Sequence, residues 1–137
     1  MTSQKGFTII ELLVVIAIIA VLAGIVLVNV TSYINKGKDA AIKGNLSTLM
    51  VNAAVFFDTN STYAAFNSNN ATGCGTTSPI RSAITDAGST LFCGTCTSSA
   101  CAACAQLKTT AGDYYCVDTT GAKKQITGTC AALTVCP

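Results

Sequence analysis

The chain has 137 residues, of which 50% are hydrophobic and only 10% are charged, and its formal net charge is +2. This length accommodates one small domain with an appendage rather than two independent cores. The few basic residues are scattered, which argues against the dense Lys/Arg face of a nucleic-acid-binding domain. The sequence has no histidine, no phosphate-binding loop and no paired carboxylate motif, so it predicts neither an enzyme nor a cofactor.

The apolar residues are concentrated near the N-terminus. From Leu12 to Val28, 17 consecutive residues carry neither a charge nor a polar side chain. As a helix, the 24 residues of segment 7–30 would span about 36 Å, enough to cross a bilayer core of about 30 Å. Only a short polar stretch with one basic residue, Lys5, precedes them. We therefore expect a leader peptide at 1–6 and a single membrane-spanning segment at 7–30.

Beyond Val30 the helical period continues, but it becomes amphipathic. Apolar side chains recur at steps of three and four residues from Ile34 to Phe57, and polar side chains fill most of the opposite side. The period ends before Asp-Thr-Asn-Ser at 58–61, which is a turn-forming stretch. The sequence therefore predicts one long helix over about 7–57, with an amphipathic half at 31–57, followed by a globular head at 58–137.

The head is expected to contain little regular structure before Lys108. One short helix is predicted around Pro79 to Asp86, where proline suits the first turn. Residues 114–118 and 123–127 flank a loop that contains Gly121, which is the pattern of a β-hairpin.

All eight cysteines lie in the second half of the chain: Cys74, Cys93, Cys96, Cys101, Cys104, Cys116, Cys130 and Cys136. An even number of cysteines in a small domain favours disulfides, although eight cysteines allow 105 pairings and the connectivity is not predicted. The two C-x-x-C elements also leave open a thiolate metal site or a redox module, but their separation differs from that of common zinc ribbons. The predicted fold class is α+β, with the long helix packed on a small antiparallel, disulfide-rich β head.

The junction between leader and apolar run has a specific pattern, Lys5-Gly6-Phe7-Thr8-Ile9-Ile10-Glu11-Leu12-Leu13. A short basic leader is followed by glycine, phenylalanine, a glutamate four residues later, and an apolar helix. This pattern resembles the processing site of type IV pilins and their pseudopilin relatives, over about the first 30 residues. The resemblance implies that a membrane-bound prepilin peptidase cuts between Gly6 and Phe7 and methylates the new amine of Phe7. The alternative for Gly6 is a flexible joint before a helix.

Glu11 places a carboxylate inside the predicted membrane segment. Such a charge costs about 2.5 to 3.5 kcal/mol at the centre of a membrane helix, and it is usually retained only when it is paired. The resemblance implies that its partner is the positive amine of Phe7 on a neighbouring subunit, and that the pair sets the axial stagger between subunits. The alternative is a carboxylate at the membrane edge, close to the positive end of the helix.

The resemblance therefore implies a structural, non-enzymatic subunit, a major or minor pilin, that polymerises into a type IV pilus for adhesion, motility or DNA uptake. Before assembly we expect it in the inner membrane as a single-pass protein, in contact with lipid and with the pilus assembly machinery. After assembly it would be extracellular, as a helical homo-oligomer. A pseudopilin of a type II secretion or competence system is the alternative, and a membrane-anchored metal or redox module is a third hypothesis.

Overall fold

The structure is a computed structural model that describes residues 6–128 and 130–137, with all of their side chains except that of Val28. In order, these residues form α1 (Ile9–Asn60), a 3₁₀ turn (Phe66–Ser68), α2 (Pro79–Asp86), β1 (Leu91–Cys93), β2 (Ala102–Gln106), β3 (Asp113–Asp118) and β4 (Lys123–Thr127). The strands form one antiparallel sheet in the order β1-β2-β3-β4. The α+β fold is thus confirmed. The predicted leader lies outside the described residues, apart from Gly6.

The chain divides into two compact units between Ile34 and Asn35. In the first unit, the large apolar side chains from Phe7 to Val30 that the structure describes are between 44% and 87% exposed. Within the described residues, α1 is the one helix long and apolar enough to cross a membrane. A continuous apolar surface of this size requires lipid or other protein around it. The bounds 7–30 of the spanning segment remain a prediction.

The second unit, residues 35–137, includes the part of α1 beyond Ile34 as well as the predicted head, and this whole unit is called the head below. It packs the remainder of α1 against the sheet. Ile42, Leu46 and Leu49 follow one another at helical spacing on one side of α1, and all three are fully buried. Together with Ala53 they share one apolar cluster with sheet residues Leu91, Ala103, Ala105 and Val117. These helix residues are among the apolar residues whose spacing predicts the amphipathic half of the helix, and the bounds 31–57 of that half remain a prediction.

The observed helix extends beyond the predicted range 7–57 at its C-terminus. Thr59 Oγ1 donates to Val55 O at 3.0 Å, and Asn60 Nδ2 donates to Phe56 O at 2.9 Å. These polar side chains bond back into the last turn instead of forming a turn of their own. The helix then ends at Ser61, whose φ of 56° is incompatible with continuation.

The short helix has its predicted bounds, and the hairpin differs from prediction only in that β3 begins one residue earlier, at Asp113. α2 covers Pro79–Asp86, and the loop between β3 and β4 contains Gly121 at a φ of 95°. Asp118 organises that loop, because its Oδ1 accepts hydrogen bonds from Thr120 N at 2.9 Å and Ala122 N at 3.0 Å, while its Oδ2 accepts one from Cys136 N at 2.8 Å. Burial acts to raise the pKa of Asp118, but these bonds, with one from the Thr120 hydroxyl, hold it below its usual value.

The expectation of mostly loop between Asp58 and Lys108 is wrong for β1 and β2. The sequence of β2 is Ala-Ala-Cys-Ala-Gln, and alanine has a low strand propensity, so the sequence does not indicate this strand. Small residues are required there because both faces of the strand are covered. Ala103 and Ala105 lie in the cluster with α1, whereas Cys104 lies with Cys116 and Cys130 in a second cluster.

Disulfides cross-link the head, as predicted. All eight cysteines lie within the described residues, and none is free. The pairs are Cys74–Cys93, Cys96–Cys101, Cys104–Cys130 and Cys116–Cys136. No pair joins the two members of a C-x-x-C element. The two elements begin in β1, at Cys93, and end in β2, at Cys104, and the disulfide between Cys96 and Cys101 closes the loop between these strands.

Removal of the Cys104–Cys130 bridge should destabilise the head more than removal of the Cys96–Cys101 bridge. The first closes a separation of 26 residues and the second a separation of 5. In the loop-entropy model, the bridge that closes the longer loop stabilises the fold by roughly 1.5 kcal/mol more than the other bridge. The measurement is denaturant unfolding of the two double alanine variants in detergent, followed by tyrosine fluorescence. Equal losses of unfolding free energy would contradict the observed pairing.

Candidate processing and assembly site

The residues implicated in processing lie immediately before α1. Gly6 and Phe7 are not part of the helix, and Phe7 is 87% exposed. A Cβ at Gly6 would meet no atom of the described chain within 4 Å. The peptide bond between Gly6 and Phe7 is therefore open to an enzyme from solvent or from the membrane surface.

Thr8 and Glu11 close the first turn of α1 on each other. Glu11 Oε2 accepts hydrogen bonds from Thr8 N at 2.8 Å and Thr8 Oγ1 at 2.9 Å, and Glu11 N donates to Thr8 Oγ1 at 3.3 Å. This reciprocal arrangement is a capping box, which satisfies helix N–H groups that have no partner inside the helix. The sequence analysis assigns no role to Thr8, although Thr-x-x-Glu before an apolar run is the sequence signature of a capping box.

The capping box leaves Glu11 half engaged. Its Oε2 is held by Thr8, but no hydrogen-bond donor among the described residues reaches Oε1. No basic side chain in the described part of the chain lies within 4.0 Å of the carboxylate either. The carboxylate is thus oriented by its own helix and remains able to accept a cation from outside the chain.

A family model described as the prokaryotic N-terminal methylation motif matches residues 1–27. The chain carries the N-terminal methylation motif of prokaryotic pilins. Two proteins of Moraxella bovis are each 47% identical to it over 58 residues, or 41% of this chain: a type IV major alpha-pilin and fimbrial protein Q. The chain spans little more than a third of these curated relatives, 36% and 37% of their lengths.

The pilin-type motif contains the whole capping box and ends inside α1. It therefore covers Gly6, Phe7, Thr8 and Glu11 but no residue of the unit that begins at Asn35. These four residues lie within 6–11, where Gly6, Phe7 and Thr8 precede α1 and Glu11 lies in its first turn, whereas the eight cysteines all lie in the other unit. The residues predicted for processing and the cysteines that cross-link the head are thus separate sets.

A second carboxylate, Asp39, has a structural role in the head. It is 5% exposed, and it accepts hydrogen bonds from the backbone N–H groups of Lys108 and Thr109 and from the Thr109 hydroxyl. Burial acts to raise its pKa, but these bonds and the nearby charge of Lys43 hold the pKa below its usual value. Asp39 therefore joins α1 to the loop between β2 and β3, and its oxygens are occupied.

Thr8→Val should loosen the first turn of α1, whereas Thr8→Ser should leave it intact. Valine keeps the shape of threonine but removes the hydroxyl that bonds Glu11, and loss of an N-cap costs about 1 kcal/mol. The amide of Glu11 should then exchange its hydrogen roughly fivefold faster in detergent micelles. Equal exchange rates in the valine and serine variants would show that the hydroxyl does not hold this turn.

Proposed function

We propose that this chain is the precursor of a type IV pilin, a structural subunit without enzymatic activity. A prepilin peptidase would cut it between Gly6 and Phe7 and methylate Phe7, after which the assembly machinery would polymerise it into an extracellular pilus for adhesion, motility or DNA uptake. One observation carries the proposal. The methylation motif extends into an exposed apolar helix, α1, and it contains Glu11, of which only one carboxylate oxygen is engaged.

In this proposal, the exposed apolar surface of α1 would be covered by two different environments in succession. Before assembly its apolar surface would lie in the inner membrane as a single crossing, since its length and composition suffice. After assembly the same surface would lie against the corresponding helices of other subunits. The pseudopilin alternative shares the motif, but both relatives named above are a pilin and a fimbrial protein, which favours the pilus subunit.

Glu11 supplies the interaction that would define the position of one subunit relative to the next. Cutting after Gly6 creates a positive amine on Phe7, and Glu11 Oε1 is open to such a group from a neighbouring chain. Among apolar helices, where the effective dielectric is low, the attraction between the two charges is stronger than in water. Either charge alone would be costly there, so stacking would favour the stagger at which the two meet.

Gly6→Leu should leave uncut precursor in the membrane. A bulky side chain next to the scissile bond would obstruct the peptidase, whereas glycine presents bare backbone. Mass spectrometry of the membrane fraction should find the N-terminus of the precursor and no methylated Phe7. The matched control is Gly37→Leu, at another glycine with no atom within 4 Å of its Cβ position, and this variant should be cut normally. A mature chain beginning at Phe7 in the Gly6→Leu variant would refute the processing site.

Glu11→Gln should be cut and methylated normally, yet it should form few filaments. Glutamine keeps the shape of the side chain but removes the charge that would pair with the amine, so we expect at least a tenfold lower filament yield, equivalent to about 1.4 kcal/mol. Sheared filaments are measured by electron microscopy and immunoblot. The control is Asp58→Asn, which removes an exposed carboxylate from the last turns of α1 and should not change the yield. Wild-type yield from Glu11→Gln would disprove the pairing.

A further inference from the structure

Two ammonium groups of the head converge on Gly88, in the loop after α2. A Cβ built on Gly88 would lie 3.8 Å from Lys38 Nζ and 3.8 Å from Lys108 Nζ, so the two nitrogens are separated by no more than twice that distance. Lys38 belongs to α1, and Lys108 follows β2. The fold, rather than proximity in sequence, therefore creates this lysine pair.

The lysine pair forms no salt bridge within the described part of the chain. No carboxylate oxygen there lies within 4.0 Å of either ammonium nitrogen. Asp39, the adjoining acid, is not available, because its oxygens bind the backbone of Lys108 and Thr109 and the Thr109 hydroxyl. Two like charges this close repel each other, and an anion held between them would reverse the sign of the interaction.

The donors of the pair are also largely unused. Lys108 Nζ donates one hydrogen bond to Gly88 O at 2.9 Å, at the C-terminal end of α2, where a cation is favourable. Its ammonium group has three donors, and Lys38 Nζ donates no hydrogen bond to a described residue. The available donors on two adjacent cations suit an oxyanion with several acceptor oxygens, such as a phosphate group.

The position of Lys38 along the chain indicates which phosphate would be present. Lys38 is eight residues beyond Val30, the end of the predicted spanning segment, which corresponds to about 12 Å of helical rise. The headgroup region extends roughly 5 to 8 Å beyond the hydrocarbon core, and a lysine side chain can reach back toward it. Basic residues at this level attract anionic lipids.

We propose that Lys38 and Lys108 together bind the phosphate group of an anionic phospholipid while the subunit is held in the membrane. The site rests on the membrane-held precursor proposed above. Transfer of the subunit into a filament would release the lipid and leave the two lysines to be neutralised by other groups.

The test uses the full chain, purified in a mild detergent and titrated with dioleoyl phosphatidylglycerol or dioleoyl phosphatidylcholine, with lipid retention measured by native mass spectrometry. The wild-type chain should retain the anionic lipid in preference to the zwitterionic one. K38Q/K108Q should weaken phosphatidylglycerol binding roughly 30-fold, equivalent to about 2 kcal/mol for two lysines. The matched control is K123Q/K124Q, which removes the same charge from two exposed residues of β4 and should change binding less than about twofold.

The site would be overturned if the wild-type chain showed no preference for phosphatidylglycerol, or if the two double variants lost equal affinity for it. It would also be overturned if millimolar inorganic phosphate displaced the lipid, because the lysines would then be assigned to free phosphate. Peptide mapping of the four disulfides, together with circular dichroism, checks that each variant is folded. Membrane retention and cleavage at Gly6 are measured on the same variants. Normal retention and cleavage without lipid preference would refute the lipid site alone, whereas a chain that is neither membrane-bound nor cut would refute the proposed function.

Discussion

Burial of one side of α1 against the sheet is the contact on which the head depends. Ile42, Leu46 and Leu49 are fully buried, and each such side chain contributes about 1.5 to 3 kcal/mol relative to exposure. The sheet offers mainly small residues in return, among them Ala103 and Ala105. The helix therefore contributes large side chains to a core that also contains Phe66, Ile80 and Ile84, and the alanines allow the strand backbone to approach it closely.

A core of this size leaves the opposite face of the sheet poorly supplied with apolar side chains. Covalent links replace them: Cys104, Cys116 and Cys130 form the centre of that second cluster, with Phe92 and Tyr114 packed against it. The C-terminal segment is held by two of the disulfides and by the hydrogen bond from Cys136 N to Asp118. Small domains commonly use disulfides in this way, because they bury too little surface to be stable without them.

The sequence predicted the elements that have a strong local signal. The period of α1, the proline of α2 and the glycine of the β3–β4 loop each indicate their element without tertiary information. β2 was missed because its alanines are selected by contacts on both faces rather than by strand propensity. The disulfide pairing and the proximity of Lys38 to Lys108 also cannot be predicted from the sequence, because both bring together residues that are distant in sequence.

Some features of the candidate site could likewise be predicted from the local sequence, and one could not. Gly6, Phe7 and Glu11 were found because their spacing is a local pattern, and Thr8 could have been found from the same segment, as the first residue of a Thr-x-x-Glu cap. What the sequence could not show is that Glu11 Oε2 is already engaged by Thr8 while Oε1 is open. This distinction depends on the side-chain geometry of the first turn.

Asp39 and Asp118 differ from Glu11 and the lysine pair in the location of their partners. Asp39 and Asp118 are satisfied inside the head, and their bonds hold loops in place. Glu11 and the lysine pair have no opposite charge within 4.0 Å in the residues described. In the sequence, Glu11 lies near the start of the predicted membrane segment, and Lys38 lies eight residues beyond its end. In the function and the lipid site proposed above, another subunit would supply the positive charge that Glu11 lacks, and an anionic lipid would supply the negative charge that the lysine pair lacks.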